Sequence, residues 1–262
     1  GGTGRGGGRP ALSSLLETAW PVLADWRLLA AILATAIAGV MRGYSGFGTA
    51  VILAPVYSLL WGPRAGVPVM LLMELLVSVQ LLPSAIKDAD RRVVLPLGGA
   101  AALATPLGAW FLFTVDGEAL RRFIGGFVLV FGLLLMSGWR YHGSRPLGLN
   151  FAIGTAAGLL KGSTGMSGPP VILYLLAGLE DAKRHRANLI MFFATIAIVS
   201  VIVPILGGLV DASALLRLAI LLPVMALAVP VGPRLFHVVP DRLYRPFAMG
   251  VLLVAGGLAL FG

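Results

Sequence analysis

Two decapeptides constrain this chain more than any other feature: Gly39-Val40-Met41-Arg42-Gly43-Tyr44-Ser45-Gly46-Phe47-Gly48 and, 119 residues later, Gly158-Leu159-Leu160-Lys161-Gly162-Ser163-Thr164-Gly165-Met166-Ser167. Each couples several glycines to one fixed cation and lies between apolar segments. Inside a bilayer, amides released from helical pairing must be met by other protein, by a cavity or by a ligand. The motif therefore predicts a helix broken within the membrane around something anionic.

Composition supports the bilayer. Hydrophobic residues make up 58% of the chain, charged ones 12%, and the mean hydropathy is +0.94. A soluble domain needs about a quarter of its residues charged, so the chain reads as a polytopic membrane protein. The net charge of +9 follows from cation-rich cytoplasmic loops and points to no nucleic acid. Zero cysteines exclude disulfides and thiolate metal sites. His142, His185 and His237 lack ligand spacing, so no metal is expected, and no nucleophile–base pair, phosphate loop or nucleotide fingerprint is present. The chain reads as neither an enzyme nor a cofactor protein, and transport by it must run on gradients.

Residues 1–27 read as a glycine-rich tail and an interfacial lead-in. Apolar segments follow at Leu28 to Met41, Ala50 to Leu60, Val67 to Leu82, Val93 to Phe113, Phe123 to Ser137, Leu147 to Leu160, Pro169 to Leu179, Leu189 to Leu209, Leu215 to Val231 and Phe247 to Phe261. The pieces beside the breaks run 11 to 14 residues, whereas a crossing needs about 20. They are expected to dip to the midplane and return as two re-entrant hairpins, 28–60 and 147–179.

Ala104-Thr105-Pro106-Leu107-Gly108 matches Ala228-Val229-Pro230-Val231-Gly232, Leu120-Arg121-Arg122 matches Leu243-Tyr244-Arg245, and Arg64 matches Arg184. The chain thus reads as an all-α integral membrane bundle of two repeats. The first, 28–139, adds helices 67–82, 93–113 and 123–137 to its hairpin; the second, 147–262, adds 189–209, 215–231 and 247–261. With returning hairpins, eleven loop Lys and Arg residues fall on one face and five on the other, or seven with Arg5 and Arg9; single crossings would split them nine to seven. The better-sorted arrangement inverts the second repeat and puts both termini outside the cytoplasm.

Inverted repeats with discontinuous helices commonly enclose a substrate at the midplane. The expected binding residues are Arg42, Gly43, Ser45, Gly46, Gly48 and Thr49 from one tip and Lys161, Gly162, Ser163, Thr164, Gly165 and Ser167 from the other. Ser167 is also expected to cap a half-helix entered at Pro169, aiming free amides at the site. The alternatives are that the cations bond opposing carbonyls and that the hydroxyls join helices. Glu74 is a further intramembrane charge, either a proton-coupling carboxylate or the ion-pair partner of Arg42 or Lys161. Its place in the second repeat falls near Ala194, so duplication did not keep it. Gln80 carries a weaker signal and is expected to pack at the interface.

With these motifs, residues 28 to 262 resemble the TauE/SafE family of sulfite and organosulfonate exporters. The resemblance rests on Gly39 to Gly48, Gly158 to Gly168 and the Pro-x-Gly and Leu-x-Arg landmarks. It implies export of small sulfur-containing anions across a bacterial inner membrane, with Arg42 to Gly48 and Lys161 to Gly168 as the binding segments. Met73-Glu74 departs from the small residues many members carry there and leaves room for another substrate or coupling ion. Outward movement of one negative charge releases about 2.3 kcal/mol per 100 mV of inside-negative potential, and of two charges twice that. Uniport is therefore sufficient, and proton coupling stays open through Glu74. An anion channel, or an importer of another small oxyanion or carboxylate, is the alternative. Homodimerisation is open.

Overall fold

A computed structural model describes residues 25–137, 146–175 and 182–236, together with residues 257 and 260. Among the described residues every regular element is a helix. In chain order these are α1 (Arg27–Ser45), α2 (Thr49–Trp61), α3 (Pro63–Ala85), α4 (Arg91–Thr114), α5 (Gly117–Met136), α6 (Leu147–Thr164), α7 (Gly168–Leu175), α8 (Ala182–Leu206), α9 (Ala212–Ala228) and α10 (Val231–Phe236). Among the described residues, five helices are long and apolar enough to cross a membrane: Arg27–Ser45, Pro63–Ala85, Arg91–Thr114, Lys183–Leu206 and Ala212–Arg234. The chain is a multi-pass, all-α membrane protein. Residues 1–24, the expected helix at 247–261, the Leu243-Tyr244-Arg245 landmark and the end of the second hairpin lie outside the described residues, apart from Gly257 and Leu260.

Local chemistry sets the helix boundaries. Asp90 and Asp211 start α4 and α9 by accepting the backbone N–H of Arg92 and Ala214, at 3.0 and 2.7 Å, the capping that acidic side chains favour. Pro63 opens α3 just after Gly62, where a missing N–H costs nothing. Apolar side chains face outward as well as inward. Leu103, Leu107 and Trp110 on α4 are 82%, 67% and 64% exposed, a surface suited to acyl chains and not to water.

Close backbone approach organises the interior. α6 lies against α4, α1 against α9 and α10, and α3 against α8, with α8 also touching α4 and α3 also touching α9. On α6, Gly154, Gly158 and Gly162 face the Leu97, Ala101 and Thr105 carbonyls of α4, and a Cβ at any of them would stand 2.1 to 2.3 Å from the oxygen. Small residues four apart let membrane helices touch backbone to backbone. A tyrosine hydroxyl braces each helix pair that flanks a break: Tyr57 of α2 shares a hydrogen bond with Thr35 of α1 (2.6 Å), and Tyr174 of α7 donates to Asn150 of α6 (2.5 Å).

The breaks are shorter than expected and come later. α1 runs through Arg42 to Ser45, leaving Gly46-Phe47-Gly48 as the interruption; α6 runs through Lys161 to Thr164, leaving Gly165-Met166-Ser167. Gly46 and Gly165 adopt left-handed φ values of 79° and 76°, and their N–H groups close onto the carbonyls of Arg42 and Lys161. A left-handed glycine ends a helix while satisfying its last carbonyls. The earlier glycines of each motif therefore stay helical and serve packing. As a result α1 spans 19 residues and α6 spans 18, more than the midplane-deep pieces expected.

Candidate functional site

The two cations end up inside the protein. Arg42 is 0% exposed and Lys161 1%, with Glu74 beside them at 2%. Each cation sits one turn before its left-handed glycine, so its side chain leaves the last helical turn of α1 or α6. Buried charge in a membrane protein is costly unless paired or used, and the two are met differently.

Lys161 Nζ donates to Glu74 Oε2 in a direct ion pair. Arg42 donates from Nη2 to Ser78 Oγ at 3.2 Å, and its guanidinium lies 4.6 Å from the centre of the Phe193 ring. Glu74 and Ser78 are one turn apart, so a single face of α3 serves both cations. Arg42 also lies near enough to Glu74 and to Lys161 to interact with each electrostatically. Four polar atoms of the cluster and of the residues at the two breaks are buried and make no hydrogen bond: Arg42 Nε, Glu74 Oε1, Thr49 Oγ1 and Ser167 Oγ.

Contacts around the two breaks correspond at several positions. A Cβ on Gly46 would meet Arg186 and Ile190 of α8, and one on Gly165 would meet Val67 and Leu71 of α3; 67 and 71 become 186 and 190 on adding the motif offset of 119. Gly43 faces the Val229 carbonyl, as Gly162 faces that of Thr105. The same offset carries Glu74 to Phe193, one residue from the Ala194 register. Each cation thus meets the matched position of the opposite half, a carboxylate for Lys161 and an aromatic ring for Arg42.

The hydroxyls divide into two groups. Ser45 donates to the Met41 and Phe47 carbonyls, Ser163 to those of Leu159 and Leu160, and Thr164 to that of Leu160. These three tie down their own turns. Thr49 opens α2 and Ser167 ends the second break, both with their Oγ atoms unbonded. Ser167 holds the position before α7, but its Oγ bonds no amide, so it does not cap the helix as expected. Gly43 and Gly162 lie against the carbonyls of Val229, just past the end of α9, and Thr105 of α4 and present no open face. Gln80 lies exposed near the end of α3. No cluster of His, Cys, Asp or Glu able to hold a metal occurs among the described residues.

Three residues of the cluster were not singled out in advance. Ser78 was findable, one turn from Glu74 on the same face. Phe193 follows from applying the offset of 119 strictly. Arg186, counted as a loop cation, is half-buried on α8 and donates from Nε and Nη2 to the Gly43 carbonyl at 3.2 and 3.0 Å. Nothing in the sequence distinguishes it from Lys183 and Arg184 beside it.

The chain is 28% identical over 222 residues to a protein of Cupriavidus necator described as "Probable sulfite/organosulfonate exporter TauE", covering 81% of this chain and 85% of that one. No solved structure matches it. The model of the sulfite exporter TauE/SafE family matches residues 31–259, which include both breaks, Glu74 and the α4–α6 seam: the chain belongs to the TauE/SafE family.

Proposed function

We propose that this protein is a secondary transporter that exports small sulfur-containing anions, sulfite or organosulfonates, with the anion held between the two breaks. One observation carries the proposal: Arg42 and Lys161 are fully enclosed in an apolar bundle around Glu74, Lys161 as its ion-pair partner and Arg42 within electrostatic reach, and both halves of the chain carry buried polar atoms that make no hydrogen bond. A tetrahedral oxyanion offers the acceptors that Arg42 Nε, Thr49 Oγ1 and Ser167 Oγ lack. The description of the Cupriavidus necator relative as a probable sulfite/organosulfonate exporter supports the substrate class.

The matched contacts support two repeats, 28–139 and 147–262, inverted about the site. Each cation then belongs to one repeat and is completed by the other, so rocking one repeat against the other opens the site to alternate faces. The buried cluster is closed to both faces, as an intermediate of such a cycle would be. Lys87, Arg91 and Arg92 lie in and just after the loop that meets the start of α8, where Lys183 pairs with Asp88, and this cation-rich end orients the bundle toward the cytoplasm of a bacterial inner membrane. Both termini then lie outside.

Flux in proteoliposomes tests this reading. Sulfite and methanesulfonate are expected to move saturably, and Arg42→Ala is expected to abolish the movement while leaving folded protein. Flux without saturation would indicate a channel, and flux that survives the substitution would remove the site.

A further inference from the structure

The two halves of the site match in backbone and differ in charge. The position that meets Lys161 is Glu74, and the position that meets Arg42 is Phe193, at the same offset of 119 residues that separates the cations. Two cations and one carboxylate leave the enclosed cluster with one net positive charge. Arg186, directed to the Gly43 carbonyl and near enough to act on Arg42 electrostatically, is only half-buried and stands outside this fully enclosed set.

We infer that Glu74 is a built-in counter-anion that sets the valence of the substrate: the site takes one negative charge, selecting monoanions such as bisulfite and sulfonates over dianions such as sulfate and fully ionised sulfite. The inference rests on the transport reading and specifies its substrate class. A monoanion brings the cluster to zero charge, the state that a low-dielectric interior favours most. A dianion would leave an uncompensated negative charge in the same enclosed volume. Lys161 stays with Glu74, and Arg42 makes the principal contact to substrate: its Nε is unbonded and the ring of Phe193 provides a flat, uncharged support that does not compete for the guanidinium. Phe193 positions Arg42 and does not contact the anion.

The charge states of the carrier follow. Loaded with a monoanion the site crosses neutral, and empty it returns carrying one positive charge. With an inside-negative membrane that return is downhill toward the cytoplasm, so one negative charge leaves per cycle and no coupled proton is needed. A Phe at the Glu74 position would leave two positive charges and favour dianions. A second carboxylate at Phe193 would leave none.

The test uses the full chain in phosphatidylethanolamine–phosphatidylglycerol liposomes, with the membrane potential held at zero by potassium and valinomycin so that valence does not alter the driving force. Labelled methanesulfonate, a monoanion at every working pH, is compared with labelled sulfate, a dianion throughout. The parent is expected to move methanesulfonate at least about tenfold faster than sulfate, and Glu74→Gln to shift that ratio toward sulfate by at least about tenfold, the scale expected for one charge in a poorly screened site. Sulfite supplies a readout that requires no variant. As the medium goes from mildly acidic to mildly basic, sulfite flux should fall with the bisulfite fraction while methanesulfonate flux holds. Parent protein that carries sulfate as fast as methanesulfonate, a sulfite flux that ignores pH, or an unshifted ratio in Glu74→Gln would each overturn the inference. These results differ from failure of the transport reading, which would appear as no saturable methanesulfonate flux or as flux that Arg42→Ala leaves intact.

Discussion

The break around Arg42 and the break around Lys161 share a backbone and differ in what faces the charge. Both end a helix on a left-handed glycine whose N–H bonds the carbonyl of the cation's own residue. Both lay a glycine against a neighbouring backbone carbonyl, that of Val229 in one case and Thr105 in the other. Yet Lys161 is ion-paired to Glu74, and Arg42 rests on Phe193 with one hydrogen bond to Ser78. The shared features build the frame. The unshared ones divide the labour, with one cation committed to the protein and the other left with an unbonded nitrogen.

The largest expected effect tests the frame. Gly43→Val and Gly162→Val would drive a Cβ to 1.9 and 2.1 Å from a backbone carbonyl, an overlap no rotamer relieves. Each is expected to cost more than about 4 kcal/mol, read as loss of monodisperse protein in detergent. A tolerated valine at one position only would break the equivalence of the two breaks.

Next comes the unequal charge. Lys161→Ala strands the buried Glu74 carboxylate and should destabilise by about 3–5 kcal/mol, with much of the loss recovered in the Lys161→Ala, Glu74→Ala double variant. Arg42→Ala strands only the Ser78 hydroxyl and an aromatic face, so about 1–2 kcal/mol is expected, with transport lost in full. Thermal unfolding in detergent measures both, and equal losses would contradict the division of labour. Gly46→Ala and Gly165→Ala should each cost about 1–2 kcal/mol for left-handed backbone, the second more because a Cβ there would also crowd Met70 at 2.4 Å. The smallest effects are expected from Tyr57→Phe and Tyr174→Phe, about 1 kcal/mol each for one hydrogen bond, in the same unfolding assay. These two should match if the helix pairs are braced alike.

Much of this frame was legible in the chain. The repeated Gly-and-cation motif located both breaks, and Glu74 was identified as a charge needing a partner, with Lys161 among the two named. The length of the breaks was not legible, because glycine content marks where a helix is able to end and not where it does; Gly39, Gly43, Gly158 and Gly162 remain helical since their missing Cβ atoms admit a neighbouring backbone. Ser45, Ser163 and Thr164 look like ligands in sequence, yet each turns back onto its own helix, as short hydroxyl side chains do when a carbonyl lies one turn away. Phe193 carried no signal as a lone aromatic in an apolar helix. It becomes informative only beside the offset that pairs it with Glu74.

Equilibrium binding of labelled methanesulfonate to the purified chain, parent against Arg42→Gln, tests the central claim most directly. Saturable binding of one anion per chain that Arg42→Gln abolishes, with thermal stability kept within about 2 kcal/mol, is the predicted result; parent-like affinity in the variant would contradict the placement of the anion between the two breaks.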